Sequence, residues 1–158
     1  MVREKIVGFL KQGLTPRDLA LTIALGSVIG VFPVLGMTTI LCTLAAVTLR
    51  LNLPALQSIN WAMAPLQLLL LIPFTHAGAW VFGGSGISLS LAELRALMEA
   101  DLMATIGRYL SAVLRGVGVW AILAMPVGAI LYAAFLPLLT RIARVVNPSS
   151  LKTQEKLL

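Results

Sequence analysis

Gly30-Val31-Phe32-Pro33-Val34-Leu35-Gly36 sits in the middle of an apolar run, Leu19 to Leu49, that contains no Asp, Glu, Lys or Arg. As one straight helix the run would be about 46 Å long, against a hydrocarbon core of roughly 30 Å, yet it is too short for two full crossings. Pro33 has no backbone N–H to donate, and Gly30 and Gly36 tolerate backbone angles that other residues avoid. The heptapeptide therefore predicts a break near Pro33 and two half-helices, roughly 19 to 32 and 35 to 49, each about 20 to 24 Å long. Neither half can cross a bilayer alone, and a re-entrant helical hairpin fits those lengths.

Upstream, Val2, Ile6, Phe9, Leu10 and Leu14 recur at helical spacing, with Arg3, Glu4, Lys5, Lys11 and Gln12 on the other side. That pattern predicts a short interfacial helix ended by Gly13. Thr15-Pro16-Arg17-Asp18 then supplies a capping threonine, a proline for the first helical position and an acid for the third. Downstream of Arg50, Asn52-Leu53-Pro54 marks another helix start. The apolar sequence that follows runs to Phe82 with Pro65 and Pro73 inside it, and predicts one kinked crossing.

Gly83-Gly84-Ser85-Gly86 reads as a turn, and Ser90-Leu91-Ala92-Glu93 as the capping box of a further helix. Leu91, Leu94, Met98, Leu102, Ile106 and Tyr109 make its apolar stripe, with Glu93, Glu99, Asp101 and Arg108 mainly off it. Such a helix is expected to lie along a surface and not to span. Gly116 to Thr140 is long enough to cross despite Pro126 and Pro137, and Arg141 and Arg144 close it.

The expected fold is thus an all-α integral membrane protein, residues 1–158 forming one membrane domain. It has a re-entrant helical hairpin broken at Pro33, about two transmembrane helices, and amphipathic surface helices. Its parts are a core over 13–82, a turn and amphipathic helix over 83–115, a transmembrane helix over 116–140 and a basic tail over 141–158.

Composition agrees, because 59% of the residues are hydrophobic and only 11% are charged. The net charge of +6 is distributed as +2 over residues 1–18, +1 at Arg50, zero over 83–115 and +3 over 141–158. Basic flanks prefer the cytoplasmic side, so both termini are expected there. A hairpin plus two spans satisfies that; three full spans would not. Trp80 and Trp120 then sit near one outer interface. A variant with the last segment re-entrant at Pro126 satisfies the same charges. The long charged leader and long first apolar run do not resemble a cleaved signal peptide, so that run is expected to stay in the protein.

Basic residues at the ends of apolar runs, without a polar face of stacking aromatics, argue against nucleic acid as a partner. One cysteine, Cys42, and one histidine, His76, build neither an intrachain disulfide nor an ordinary metal site. With no intramembrane pair of carboxylates and no nucleophile beside an evident base, the chain is not expected to be an enzyme or to carry a cofactor.

Residues from about Gly13 to Phe82 resemble the bacterial membrane family known as domain of unknown function 2062. The matching text is Thr15-Pro16-Arg17, Ala24-Leu25-Gly26, Ile29-Gly30-Val31-Phe32-Pro33-Val34-Leu35-Gly36, Arg50-Leu51-Asn52-Leu53-Pro54 and Pro65-Leu66-Gln67. The resemblance implies a small bacterial inner-membrane protein and carries no activity with it; some members are joined to glycosyltransferase domains. Much of the family has an Asn-Pro pair around Asn60, whereas here Asn60 precedes Trp61 and the proline comes at Pro65.

A half-helix starting near Gly36 would present free N–H groups at membrane depth, where they can hold an anion. The candidate ligand-binding residues are Gly30, Pro33, Gly36, Thr38, Thr39, Arg50, Asn60 and Gln67. The competing reading of the same residues is structural: a proline kink, glycines for close packing, and an arginine that snorkels at the end of an apolar run. Gly26 and Gly30 match a small-xxx-small packing face, and Cys42 reads as a small apolar packing residue. Gln57, Asn60, Gln67, Thr75 and His76 must find partners or a wet cavity, and His76, close to Trp80, can also be simply solvated. The functional expectation is transport or handling of an anionic lipid or small solute through the hairpin. The alternative is a non-catalytic membrane anchor or accessory subunit for an envelope glycan or lipid biosynthesis enzyme. Expected partners are membrane lipids, a homo-oligomer or that envelope-biosynthesis enzyme.

Overall fold

The computed structural model describes residues 15–84, 86 and 102–146. The predicted leader helix, the Ser90–Glu93 capping box and most of the stripe beginning at Leu91, and the end of the basic tail lie outside the described residues. The rest is helical: α1 (Pro16–Gly30), α2 (Met37–Leu49), α3 (Leu53–Ala62), α4 (Ala64–Phe82) and α5 (Leu102–Val146).

Local chemistry explains most of the boundaries. Thr15 caps α1 by accepting from the Asp18 N–H at 3.1 Å while its hydroxyl donates to the Asp18 carboxylate at 2.7 Å. Asn52 caps α3 by accepting from the Ala55 N–H at 2.9 Å. α1 stops at Gly30, and residues 31–36 are irregular, with Phe32 and Pro33 buried. Gly36 has φ +83°, a left-handed conformation that costs an L side chain about 1–2 kcal/mol, and it opens α2. The break therefore falls where the heptapeptide predicts it.

α3 and α4 form the expected kinked unit. The Met63 N–H still donates to the Ile59 carbonyl at 3.0 Å, and Met63 O accepts from Gln67 N–H at 2.8 Å, so hydrogen bonding runs through the joint. Pro65, in the first turn of α4, bends the chain there.

α5 departs from expectation. From Leu102 onward the predicted surface helix and the crossing over 116–140 are not separate elements, because one helix runs unbroken from Leu102 to Val146. Pro126 and Pro137 lie inside it, each removing one backbone hydrogen bond, and the turns on either side keep the helix going. The variant with a re-entrant break at Pro126 is accordingly overturned.

α1 is the central helix. Small residues let α3 lie against it: a Cβ on Gly26 would come within 2.9 Å of the Ile59 Cβ, and one on Gly30 within 2.7 Å of the Met63 Cβ. Both numbers rise together along the two chains, so α1 and α3 run parallel, with α2 returning beside them. Ile29, Cys42, Ala46 and Leu56 form the core of this three-helix unit. α5 runs antiparallel to α1, placing Leu139 on Leu19 and Ala20, and Trp120, near its middle, on Val28. α4 meets α5 at Gly78, whose Cβ would strike the Arg115 backbone carbonyl group.

The polarity of the molecule is inverted relative to a water-soluble protein. Thr22, Asn60, Gln67 and Thr75 are buried, whereas Trp61, Leu69, Met125 and Ile130 are largely exposed. Water disfavours that arrangement and lipid favours it. Ala64–Phe82 and Thr105–Ala143 are long and apolar enough to cross a membrane, and Met37–Leu49 is a shorter apolar helix. The chain is an all-α integral membrane protein.

The contact at Gly30 supports a direct test. Gly30→Leu inserts a branched side chain where even a Cβ has no room, and is expected to lower stability by about 1–3 kcal/mol. A fall in the thermal unfolding midpoint in detergent checks it, with the exposed-site Leu69→Ala as a control that leaves the midpoint nearly unchanged.

Candidate functional site

Breaking a helix inside an apolar environment frees backbone carbonyls, and each unpaired one costs several kcal/mol in lipid. Two of these carbonyls find side-chain donors from the spanning helices. The indole N–H of Trp120 on α5 donates to the Val28 carbonyl at 2.9 Å. The Gln67 amide on α4 donates to the Phe32 carbonyl at 2.8 Å in a buried position. The rings of Phe32 and Trp120 pack edge to face, with centroids 4.8 Å apart. The broken turn is thereby bolted to both long helices.

A second polar chain links α2 and α3. The Gln57 amide donates to the Thr39 carbonyl at 3.1 Å and to the Thr43 hydroxyl at 3.4 Å, and its oxygen accepts from the Asn60 amide at 3.0 Å. Among the described residues no buried side-chain nitrogen or oxygen is left without a partner.

The eight candidate residues fall into three places. Gly30, Pro33, Asn60 and Gln67 gather around the break: Gly30 lies against Asn60 and Met63, Pro33 is buried, and Gln67 holds the Phe32 carbonyl. Gly36, Thr38 and Thr39 form the start of α2, where Gly36 has nothing within 4 Å of where its Cβ would be, Thr38 is buried and Thr39 exposed. Arg50 is at the far end of α2, about 20 Å away along the helix, and is exposed. It adopts φ +54° and, as the C-terminal cap of α2, donates its N–H to Ala46. Its position there closes the helix and does not bring its charge to the turn.

The sequence reading missed the adjoining cavity. A groove of about 420 Å³, open on one side, is bounded by α1 (Ser27, Val28, Val31), the α3–α4 joint and α4 (Met63, Leu66, Leu70, Phe74) and α5 (from Trp120 to Phe135). Its lining is almost wholly apolar, with Ser27 as the polar exception. On α5 the lining residues 120, 123, 124, 127, 131 and 135 follow helical spacing, a periodicity readable in sequence, but nothing local says that the partner face stays open. The volume lies in the range of small-molecule and lipid-chain sites.

Among the described residues no group of His, Cys, Asp and Glu could hold a metal. Cys42 is fully buried. The locks at the break predict a graded response. Gln67→Leu, which strands the Phe32 carbonyl, is expected to cost about 1–3 kcal/mol, and Trp120→Phe, which keeps a ring but drops its N–H, about 1–3 kcal/mol. Thermal unfolding of both variants, and of the pair together, measures each bond and their coupling.

No curated protein and no solved structure matches the chain. A family model described as an uncharacterized protein conserved in bacteria matches residues 1–145, well beyond the stretch whose motifs carry the resemblance and across all but the end of α5. With nine-tenths of its length matched in this way, the chain belongs to that bacterial family, DUF2062.

Proposed function

We propose that this protein handles an amphiphilic anionic lipid, or a small anionic solute, at a bacterial inner membrane, with the α1–α2 hairpin entering and leaving the bilayer from the cytoplasmic side. The observation that carries the reading is the apolar groove beside the break, open to the side and walled by both spanning helices. A laterally open apolar groove suits a hydrocarbon chain arriving from the membrane. The uncapped start of α2, with Gly36, Thr38 and Thr39, is the polar counterpart at the other side of the same turn, where N–H groups and the helix dipole favour negative charge. The chain acts by binding and passage.

The direction of the helices supports the topology. α1 and the α3–α4 unit point one way, α2 and α5 the other, so a chain threaded through a bilayer in this order ends on the side where it began. Basic residues at both ends favour the cytoplasm for that side. In a Cys42→Ala background, reporter cysteines at Asn52 and Ser149 are expected to be protected from an impermeant reagent added to intact cells, and one at Ser85 to be labelled. Labelling at position 52 would mean that the first apolar segment crosses fully.

Transport itself is tested in proteoliposomes. Purified protein is expected to accelerate the movement of a fluorescent phosphatidylglycerol between leaflets, and Ala124→Phe, which fills the groove, to abolish most of that acceleration while the protein stays folded. No acceleration for any anionic lipid, with folded protein, would instead favour the non-catalytic anchor or accessory subunit for envelope biosynthesis, which a stably co-purifying enzyme would identify.

A further inference from the structure

The opening turn of α2 carries a hydroxyl that the fold leaves unused. α2 has 13 residues, and its first N–H groups, on Met37, Thr38 and Thr39, have no helical carbonyl behind them. Gly36 precedes them without a side-chain cap, and nothing lies within 4 Å of where its Cβ would be. A helix start of this kind favours negative charge, but it is a general property of helices and identifies no ligand by itself. The side chain of Thr38 does more.

Other threonines in these helices turn their hydroxyls back on the chain. Thr22, Thr43, Thr48 and Thr140 each donate to the carbonyl four residues earlier, at 2.6, 2.8, 2.8 and 2.7 Å. For Thr38 that residue is Val34, which lies ahead of the helix, and the Thr38 hydroxyl has no hydrogen-bond partner among the described residues. Yet Thr38 is only 7% exposed. No buried side-chain oxygen among the described residues lacks a partner, so the hydroxyl lies on the small part of Thr38 that stays accessible. A helical Cβ leans toward the N-terminus, which aims that part at the space in front of α2. A valine would fill the same volume with no hydroxyl to desolvate, so the polar group is a net cost until a ligand pairs with it.

We infer that the first turn of α2 binds the phosphate group of the ligand, with the Thr38 hydroxyl donating beside the N–H groups of Met37, Thr38 and Thr39. The inference rests on the reading of the chain as one that handles an anion, and it names the anion and the side chain that selects it. N–H groups along the helix axis and a hydroxyl at their side approach from different directions. A tetrahedral phosphate has acceptor oxygens facing each of them, whereas a carboxylate holds both of its oxygens in one plane. The phosphate belongs either to a lipid headgroup or to a free ion, and the chemistry at α2 is the same for both.

Calorimetric titration of the full chain in a maltoside detergent with dioctanoyl phosphatidic acid, dioctanoylglycerol and inorganic phosphate tests it. Wild-type protein is expected to bind the phosphatidic acid more tightly than dioctanoylglycerol, which has the same chains and no phosphate. Thr38→Val is expected to weaken phosphatidic acid about tenfold, as loss of one hydrogen bond to a charged group would, and to leave dioctanoylglycerol unchanged. Its melting temperature stays level or rises, because the hydroxyl makes no bond within the fold, and Thr38→Ser restores binding. Competition by millimolar inorganic phosphate, itself weakened in Thr38→Val, supports the inference with a free ion as the source. A Thr38-dependent loss without such competition supports it with a lipid headgroup. Equal binding of phosphatidic acid by wild type and Thr38→Val overturns the inference. So does an equal loss of dioctanoylglycerol, or a loss that accompanies a lower melting temperature and that Thr38→Ser does not relieve. Binding is read without flux, so failed lipid movement between leaflets would remove the transport reading and leave this site standing, and an inert Thr38→Val would do the reverse.

Discussion

The interruption of α1 at Gly30 leaves carbonyl groups with no helical partner in apolar surroundings, and the architecture is organised around pairing them. Lipid offers no donors, so donors must come from the protein. Trp120 reaches Val28 from α5 and Gln67 reaches Phe32 from α4. Each bond is net-favourable by only about a kilocalorie, but leaving either carbonyl bare would be far more costly, and this asymmetry ties the positions of α4 and α5 to the turn. The edge-to-face pair of Phe32 and Trp120 fills the space between the two bonds.

Close approach of backbones is the second constraint. With lipid as the solvent there is little hydrophobic drive to bring helices together, so packing must come from shape. Gly26 and Gly30 supply a flat face on α1 for α3, and Gly78 does the same on α4 for α5. These two seams are spaced along the molecule, and between them α4 and α5 stand apart with α1 as the floor. The groove is the consequence: tight contacts above and below, and medium-sized side chains between that do not meet. An opening to the side is the geometry that the proposed hydrocarbon chain requires.

The polar residues expected to need partners illustrate how far a membrane protein uses its hydrogen-bonding groups for structure. Gln67 is committed to the Phe32 carbonyl, and Asn60, Gln57 and Thr39 are chained together between α2 and α3. Near the break, the start of α2 has no side-chain cap among the described residues. Arg50, a candidate ligand residue whose competing reading was a flank at the end of an apolar run, is the left-handed end of α2 and sits one helix length from the turn.

Local chemistry along the chain was enough for the all-α membrane class, the caps at Thr15 and Asn52, the break at Pro33 and the kink before Pro65, because each depends on a few neighbouring residues and on run length. Family resemblance was legible in the same short motifs. The continuity of α5 was not, since whether Pro126 and Pro137 end a helix depends on what surrounds the ring and the freed carbonyl. Neither was the groove, nor the meeting of Arg115 with Gly78. Those rest on residues tens of positions apart whose separation in space is set by which helix faces touch, and a single chain read in order carries no distance between them.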